Sequence, residues 1–166
     1  CLALLISTAT LLLCISGCSD RRSSDDVAKE LNFQHTAQDR EVGITQSMIA
    51  YEDNYAYGIH YPSIGIDGID NIIKNTVNGF ADSFISELGS YKAHKDEELA
   101  IFTADYKTYL ISDSSDHKYV SLVFEKKTSV PKNNIHRDSI RTMFFDLNGE
   151  KELQFSEVFK SGAENE

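Results

Sequence analysis

Residues 67–89, DGIDNIIKNTVNGFADSFISELG, decide the fold that the sequence predicts. Apolar side chains recur there at steps of three and four residues, which is the spacing of one face of an α-helix. A carboxylate at Asp67 or Asp70 suits the start of this helix, and Gly89 suits its end. The apolar positions are Ile69, Ile72, Ile73, Val77, Phe80, Phe84, Ile85 and Leu88.

The segments on both sides of this helix have the composition of β-strands. Before it lies the aromatic-rich run that ends at Pro62, and after it Val120, Leu122 and Phe124 alternate with more polar residues. The sequence therefore predicts an α+β fold, in which one long amphipathic helix packs on a mostly antiparallel β-sheet in the order strand, helix, meander. The three strands expected after the helix are Leu99 to Ser112, Lys118 to Thr128 and Ser139 to Leu147.

The N-terminal region has the pattern of an export signal. Leu2 to Ile15 is uncharged but shorter than the ~20 residues that a membrane-spanning helix needs. Residues 15–18, Ile-Ser-Gly-Cys, resemble the bacterial lipobox, in which the cysteine is lipidated and becomes the new N-terminus. By this resemblance residues 1–17 are a signal peptide, whose start is expected to be missing, and Cys18 is the lipidation site. An uncleaved membrane helix is the alternative.

Composition divides the rest of the chain. Residues 18–46 are polar and are predicted to be a flexible tether. Residues 47–160 are predicted to form the folded domain, and residues 161–166 are predicted to be a truncated linker. The formal net charge is −10, which disfavours nucleic acid as a partner. The same charge suits either a basic protein partner or simple solubility.

Few patterns point to chemistry. No two of the five histidines have the close spacing of a metal site, and no nucleophile elbow, H-E-x-x-H pair or glycine-rich phosphate loop is present. We therefore predict no metal, no cofactor and no catalytic residue, while a distant carboxylate pair stays open. Tyr55, Tyr57 and Tyr61 are expected to share a strand face, where they either stack on sugar rings or pack under the helix.

Two segments resemble a known domain of unknown function. One runs from Tyr61-Pro62-Ser63-Ile64-Gly65 into Ile69–Ile73, and the other is Phe144–Leu153 followed by Phe155–Phe159. The resemblance is to the domain that precedes the catalytic part of PdaC-type polysaccharide (peptidoglycan) deacetylases. The same domain forms the ectodomain of RsiV-type anti-sigma factors, which sense lysozyme, and occurs in stand-alone lipoproteins. The resemblance covers about residues 47–160 of this chain.

The resemblance also indicates one candidate ligand contact, and the sequence differs from the family pattern in two respects. Residues 133–136, Asn-Asn-Ile-His, stand where the family usually has Gly-Gly-Ala-His, so His136 is a candidate ligand contact. The zinc-deacetylase signatures are absent, so no catalytic residue carries over.

The resemblance implies a membrane-anchored, extracytoplasmic, non-catalytic module that binds cell-wall glycan or an envelope protein. One alternative is the accessory domain of a longer deacetylase whose catalytic part is not in this chain. Another is a sensor or inhibitor that binds a basic protein such as lysozyme. Ser19 after Cys18 permits sorting to an outer membrane in a diderm host.

The lipid anchor is directly testable. Each buried lipid CH₂ contributes about 0.8 kcal/mol to membrane binding, so two or three acyl chains hold a protein firmly. We expect Cys18→Ser to move the protein from the membrane fraction to the soluble fraction, while Cys14→Ser leaves it on the membrane. An unmodified thiol at Cys18 in the native product, detected by mass spectrometry, would contradict this prediction.

Overall fold

The computed structural model describes Leu31 and residues 40–91, 99–131 and 134–158. The predicted signal peptide, Cys18 and the predicted linker 161–166 lie outside these residues. No helix in the described ranges is long and apolar enough to cross a membrane. The elements, in chain order, are β1 (Ile44–Tyr51), β2 (Tyr55–Ser63), α1 (Asp67–Leu88), β3 (Ala100–Ser112), β4 (Lys118–Val130), β5 (Ile135–Asp146), β6 (Lys151–Glu152) and α2 (Phe155–Val158).

The six strands form one sheet in the order β1-β2-β3-β4-β5-β6. Neighbouring strands are antiparallel except β2 and β3, which are parallel, with Tyr55 opposite Ala100 and Ile59 opposite Ala104. Parallel neighbours cannot be joined by a tight hairpin and need a crossover connection. Helix α1 is in that connection.

The predicted architecture is wrong. The structure is dominated by a curled six-stranded sheet, which is mixed because β2 and β3 are parallel, and not by one long helix packed on the sheet. Strands hold more than twice as many described residues as helices, although α+β broadly describes the composition. The helical periodicity of residues 67–89 locates α1 correctly, but it is a local signal, whereas the parallel pairing of β2 with β3 joins segments far apart in sequence.

The core lies between α1 and the inner face of the sheet. On the helix, Ile69, Ile73, Val77, Ala81, Phe84 and Leu88 are buried. Phe84 stacks on Phe102 of β3 with a centroid distance of 5.4 Å and meets Tyr55 of β2 edge to face at 5.9 Å. Phe80 meets Phe124 of β4 edge to face at 5.2 Å. Aromatic pairs in these geometries contribute about 0.5–1.5 kcal/mol beyond area burial.

The two ends of α1 are fixed differently. Asp70 accepts hydrogen bonds from the amides of Ile64 (2.6 Å) and Gly65 (3.1 Å), and so closes the turn between β2 and α1. The residue before the helix, Ile66, makes no side-chain cap. Gly89 ends the helix with φ +54°, a conformation that favours glycine, as the sequence predicts.

The folded region includes residues that the sequence assigns to the tether. Strand β1 begins at Ile44, before the expected boundary at Ser47. Upstream, Thr108 of β3 is fully buried, and its hydroxyl donates to the carbonyl of Val42 and accepts from the Val42 amide, both at 3.0 Å. The Nε2–H of His60 donates to the carbonyl of buried Leu31 at 3.1 Å. These contacts attach the start of the fold to β2 and β3.

Two glycines test this packing in opposite directions. A Cβ on Gly58 would lie 2.7 Å from the carbonyl oxygen of Leu31, whereas a Cβ on Gly79, which is exposed in α1, would meet nothing within 4 Å. We expect Gly58→Ala to lower the free energy of unfolding by about 1–3 kcal/mol through overpacking. Gly79→Ala should raise it by about 0.5–1 kcal/mol because alanine favours the helix. Chemical denaturation measures both changes, and equal effects would contradict the close approach of Leu31.

Candidate functional site

The sheet has an outer face that points away from α1. Alternate residues of β3, β4 and β5 lie on it, because successive side chains of a strand point to opposite faces. The registers place Tyr109, Ser121 and Phe144 in one row across the three strands, and Thr103, Lys127 and Asp138 in another. These rows are six residues apart along each strand, which is about 20 Å at ~3.3 Å per residue. The two ends of the outer face differ in chemistry.

One end of the outer face carries an aromatic ladder, formed by His117, Tyr119 and Phe144. Its rings are nearly parallel: the centroids of His117 and Tyr119 are 5.0 Å apart at 22°, and those of Tyr119 and Phe144 are 5.7 Å apart at 10°. All three side chains are half-buried. Beside the ladder, Tyr109 and Ile111 of β3 are 41% and 45% exposed. This end of the face therefore presents ring surface and aliphatic surface to solvent.

Asp146 fixes the end of the ladder. Its Oδ1 accepts hydrogen bonds from the amides of Asn148 (2.9 Å) and Gly149 (2.8 Å) and from Nε2–H of His117 (2.7 Å). The bond from the Gly149 amide is the main cause of a lowered pKa for Asp146, and the interactions with His117 and the Asn148 amide lower this pKa further. The carboxylate therefore holds both the turn after β5 and the orientation of the His117 ring.

The phenol of Tyr119 stays neutral in this setting. Desolvation raises its pKa, and the nearby carboxylates of Asp113 and Asp146 raise the pKa further. A neutral phenol keeps its O–H as a hydrogen-bond donor beside an apolar ring. Tyr119 therefore offers both a ring and a polar group to a ligand.

The other end of the outer face holds an open pocket of about 190 Å³. Within it the Ser129 hydroxyl and Nδ1 of His136 are hydrogen-bonded at 3.3 Å. Hydroxyl, imidazole and charged groups surround the space, so the pocket suits a small polar substituent rather than an apolar one. Its lining residues are Ile101, Thr103, Lys127, Thr128, Ser129, His136, Arg137 and Asp138.

The structure separates the ligand contacts that the sequence nominates. Tyr55, Tyr57 and Tyr61 are half-buried on the inner face of β2 and pack against the core. The rings of Tyr55 and Tyr57 stack on each other at 6.4 Å and 7°. His136 lies in the pocket at the outer face. The three tyrosines and His136 therefore do not form one site, and a ligand role for each of them stays a prediction. Cys18, the predicted lipidation site, is outside the described residues.

Sequence reasoning missed Tyr109, Tyr119 and Phe144. Each lies in a segment recognised as a strand, but which aromatic side chains share a face depends on the pairing register between strands. Alternation within β4 is the available signal, because Val120, Leu122 and Phe124 are buried and leave Tyr119 on the other face.

The turn between β3 and β4 is closed by its own aspartate. The Asp113 carboxylate accepts hydrogen bonds from the amides of Ser115 (2.8 Å) and His117 (2.9 Å), and Asp116 has φ +59°. Within the described ranges, no group of three or more histidine, cysteine or acidic side chains is placed to hold a metal ion.

The lowered pKa of Asp146 predicts a pH-dependent stability. A carboxyl with a folded-state pKa below its unfolded value stabilises the fold above the unfolded pKa of about 3.9, and loses this contribution as pH falls through the folded-state pKa. We expect Asp146→Asn to be less stable than the original chain at pH 6, with a gap that narrows below about pH 4. Circular dichroism follows the unfolding of both chains across this pH range. A gap of constant size down to pH 2 would contradict the assignment.

No family model matches the sequence, and no curated protein matches it either.

Proposed function

We propose that this protein is a non-catalytic module of the cell envelope that binds cell-wall glycan through its outer face. The observation that carries the proposal is the aromatic ladder of His117, Tyr119 and Phe144, with exposed Tyr109 beside it. Sugar rings have apolar C–H faces that pack on aromatic rings, and their hydroxyls need polar partners nearby. Large side chains with one apolar body and one polar end suit such half-wet contacts.

The dimensions of the outer face favour an extended polymer over a small molecule. The ladder and the pocket with His136 lie about 20 Å apart along the strands. A glycan strand that runs parallel to β3 and β4 reaches both, with its rings on the ladder and a polar substituent in the pocket. Between them the Lys107 ammonium and the Glu125 carboxylate are paired at 2.8 Å.

The charge of the chain limits the type of polymer. A formal net charge of −10 repels phosphate-rich polymers at long range, whereas a neutral glycan backbone experiences no such repulsion.

The proposed place of action is the outer side of the cytoplasmic membrane, or an outer membrane, with a lipid on Cys18 as the anchor. A tether after Cys18 would let the domain reach the wall while it stays attached.

Glycan binding also fits a role as the accessory domain of a longer peptidoglycan deacetylase. Such a domain would hold the polymer close to a catalytic part outside this chain. A basic protein such as lysozyme is the second candidate partner, favoured by the net charge of −10. The two ligands differ in salt dependence, because attraction between opposite charges weakens as salt is added.

Binding to β-1,4-linked N-acetylglucosamine oligomers and to purified peptidoglycan tests the proposal. Aromatic hot spots cost more than about 1.4 kcal/mol when truncated, so we expect Tyr119→Ala and Tyr109→Ala each to weaken binding about tenfold. Tyr51→Ala is the matched control, because Tyr51 is 54% exposed but lies on β1, away from the ladder. Affinity should change little between low and high salt.

Two results would contradict this function. Equal losses for Tyr51→Ala and Tyr119→Ala would show that the ladder is not the contact surface. Binding to lysozyme that disappears at high salt, without any binding to glycan, would favour the protein partner instead. Circular dichroism of each variant shows whether a loss comes from unfolding.

A further inference from the structure

Strand β1 is an edge strand that lacks charge. It is the first strand in the sheet order, so within the described ranges only its β2 side is paired. Its eight residues, ITQSMIAY, include no charged residue, no proline and no glycine. Ile44, Ile49 and Tyr51 are 73%, 49% and 54% exposed. In the part of the chain that the structure describes, the outer edge therefore presents backbone groups without a strand partner, flanked by apolar and uncharged polar side chains.

The opposite side of the sheet is protected. Strand β5 carries Arg137, Asp138 and Arg141, all of them exposed, and β6 covers its Phe145–Asp146 end. Charges on an edge strand and short covering strands are the usual devices that prevent strands of different molecules from pairing. Within the described ranges, β5 has these devices, whereas the eight residues of β1 include none of them. Strand β1 is therefore open to pairing with a strand of another molecule.

We infer that β1 is an interaction surface for a second copy of this chain, which pairs with it antiparallel through its own β1. The two sheets would join into one sheet of twelve strands about a two-fold axis. Such an interface uses the same surface on both molecules, so that surface must be complementary to itself. A strand without charges meets this condition, because no like charges face each other across the axis.

The charge of the chain selects this edge over the other. Two copies with net charge −10 repel each other at long range, so a contact between them forms most easily where no charge is brought together. Pairing of β1 with β5 of another copy would be heterologous and would leave a free β1 and a free β5 at the two ends. That arrangement grows into open chains, whereas pairing of β1 with β1 closes as a dimer.

Sedimentation equilibrium of residues 19–166, which include every described residue, tests the inference without the lipid. We expect a monomer–dimer equilibrium.

Gln46 and Ile49 flank the middle of β1, and both are exposed. The two positions lie on opposite faces of the sheet, so Gln46→Lys with Ile49→Lys places a pair of like charges diagonally across the axis on each face, as does Gln46→Glu with Ile49→Glu. Each double variant should therefore dimerise at least about tenfold more weakly. An equimolar mixture of the two variants should recover a dimer, because each diagonal pair then combines opposite charges.

Thr142→Lys on β5 is the control, because Thr142 is also exposed on a strand that borders solvent. It should leave dimerisation unchanged. The inference is overturned if the original chain stays monomeric up to about 1 mM, the effective concentration of tethered partners. It is also overturned if assemblies grow beyond dimers, if Thr142→Lys abolishes the dimer, or if mixing the two double variants restores nothing. Unchanged thermal midpoints for all variants separate lost association from lost folding.

Discussion

Burial of one apolar side of α1 against the strands that it connects is the constraint on which the rest of this structure depends. Phe84 contacts Tyr55 on β2 and Phe102 on β3, so a single helical residue packs against both strands that the crossover joins. Because α1 is in the connection between them, β2 and β3 can lie parallel and adjacent. The later strands then add by hairpin connections, which continue the sheet away from the helix.

This arrangement gives the two faces of the sheet different roles. Side chains of β3, β4 and β5 that face α1 form the core, and their neighbours in sequence form the outer face. The ladder of His117, Tyr119 and Phe144 is therefore a consequence of register as well as of composition. Its His117 ring is held by Asp146, which also closes the turn after β5. A fixed aromatic surface loses little conformational freedom when a ligand binds, which favours recognition of a flexible polymer.

Much of the secondary structure was predictable from local signals, and the candidate site was not. The helix, its end at Gly89 and the strands around Val120 to Phe124 follow from periodicity and turn residues. The predicted fold class failed because helical periodicity is a local signal, whereas the parallel pairing of β2 with β3 in a mixed sheet depends on contacts distant in sequence. Tyr55, Tyr57 and Tyr61 share a face as expected, and tertiary packing places them against the core, which is one of the two alternatives that the sequence leaves open.

The sequence by itself determined where α1 begins and ends, the central parts of β2, β3, β4 and β5, and that the chain is strongly acidic. These properties depend on neighbouring residues and on totals, which need no knowledge of the fold. Only the tertiary structure decided that Tyr119 and Phe144 stack on an exposed surface, that Thr108 binds the Val42 backbone, and that β1 is left as an uncharged edge. Strand order and register bring residues together from distant parts of the chain, and local patterns carry no information about that pairing.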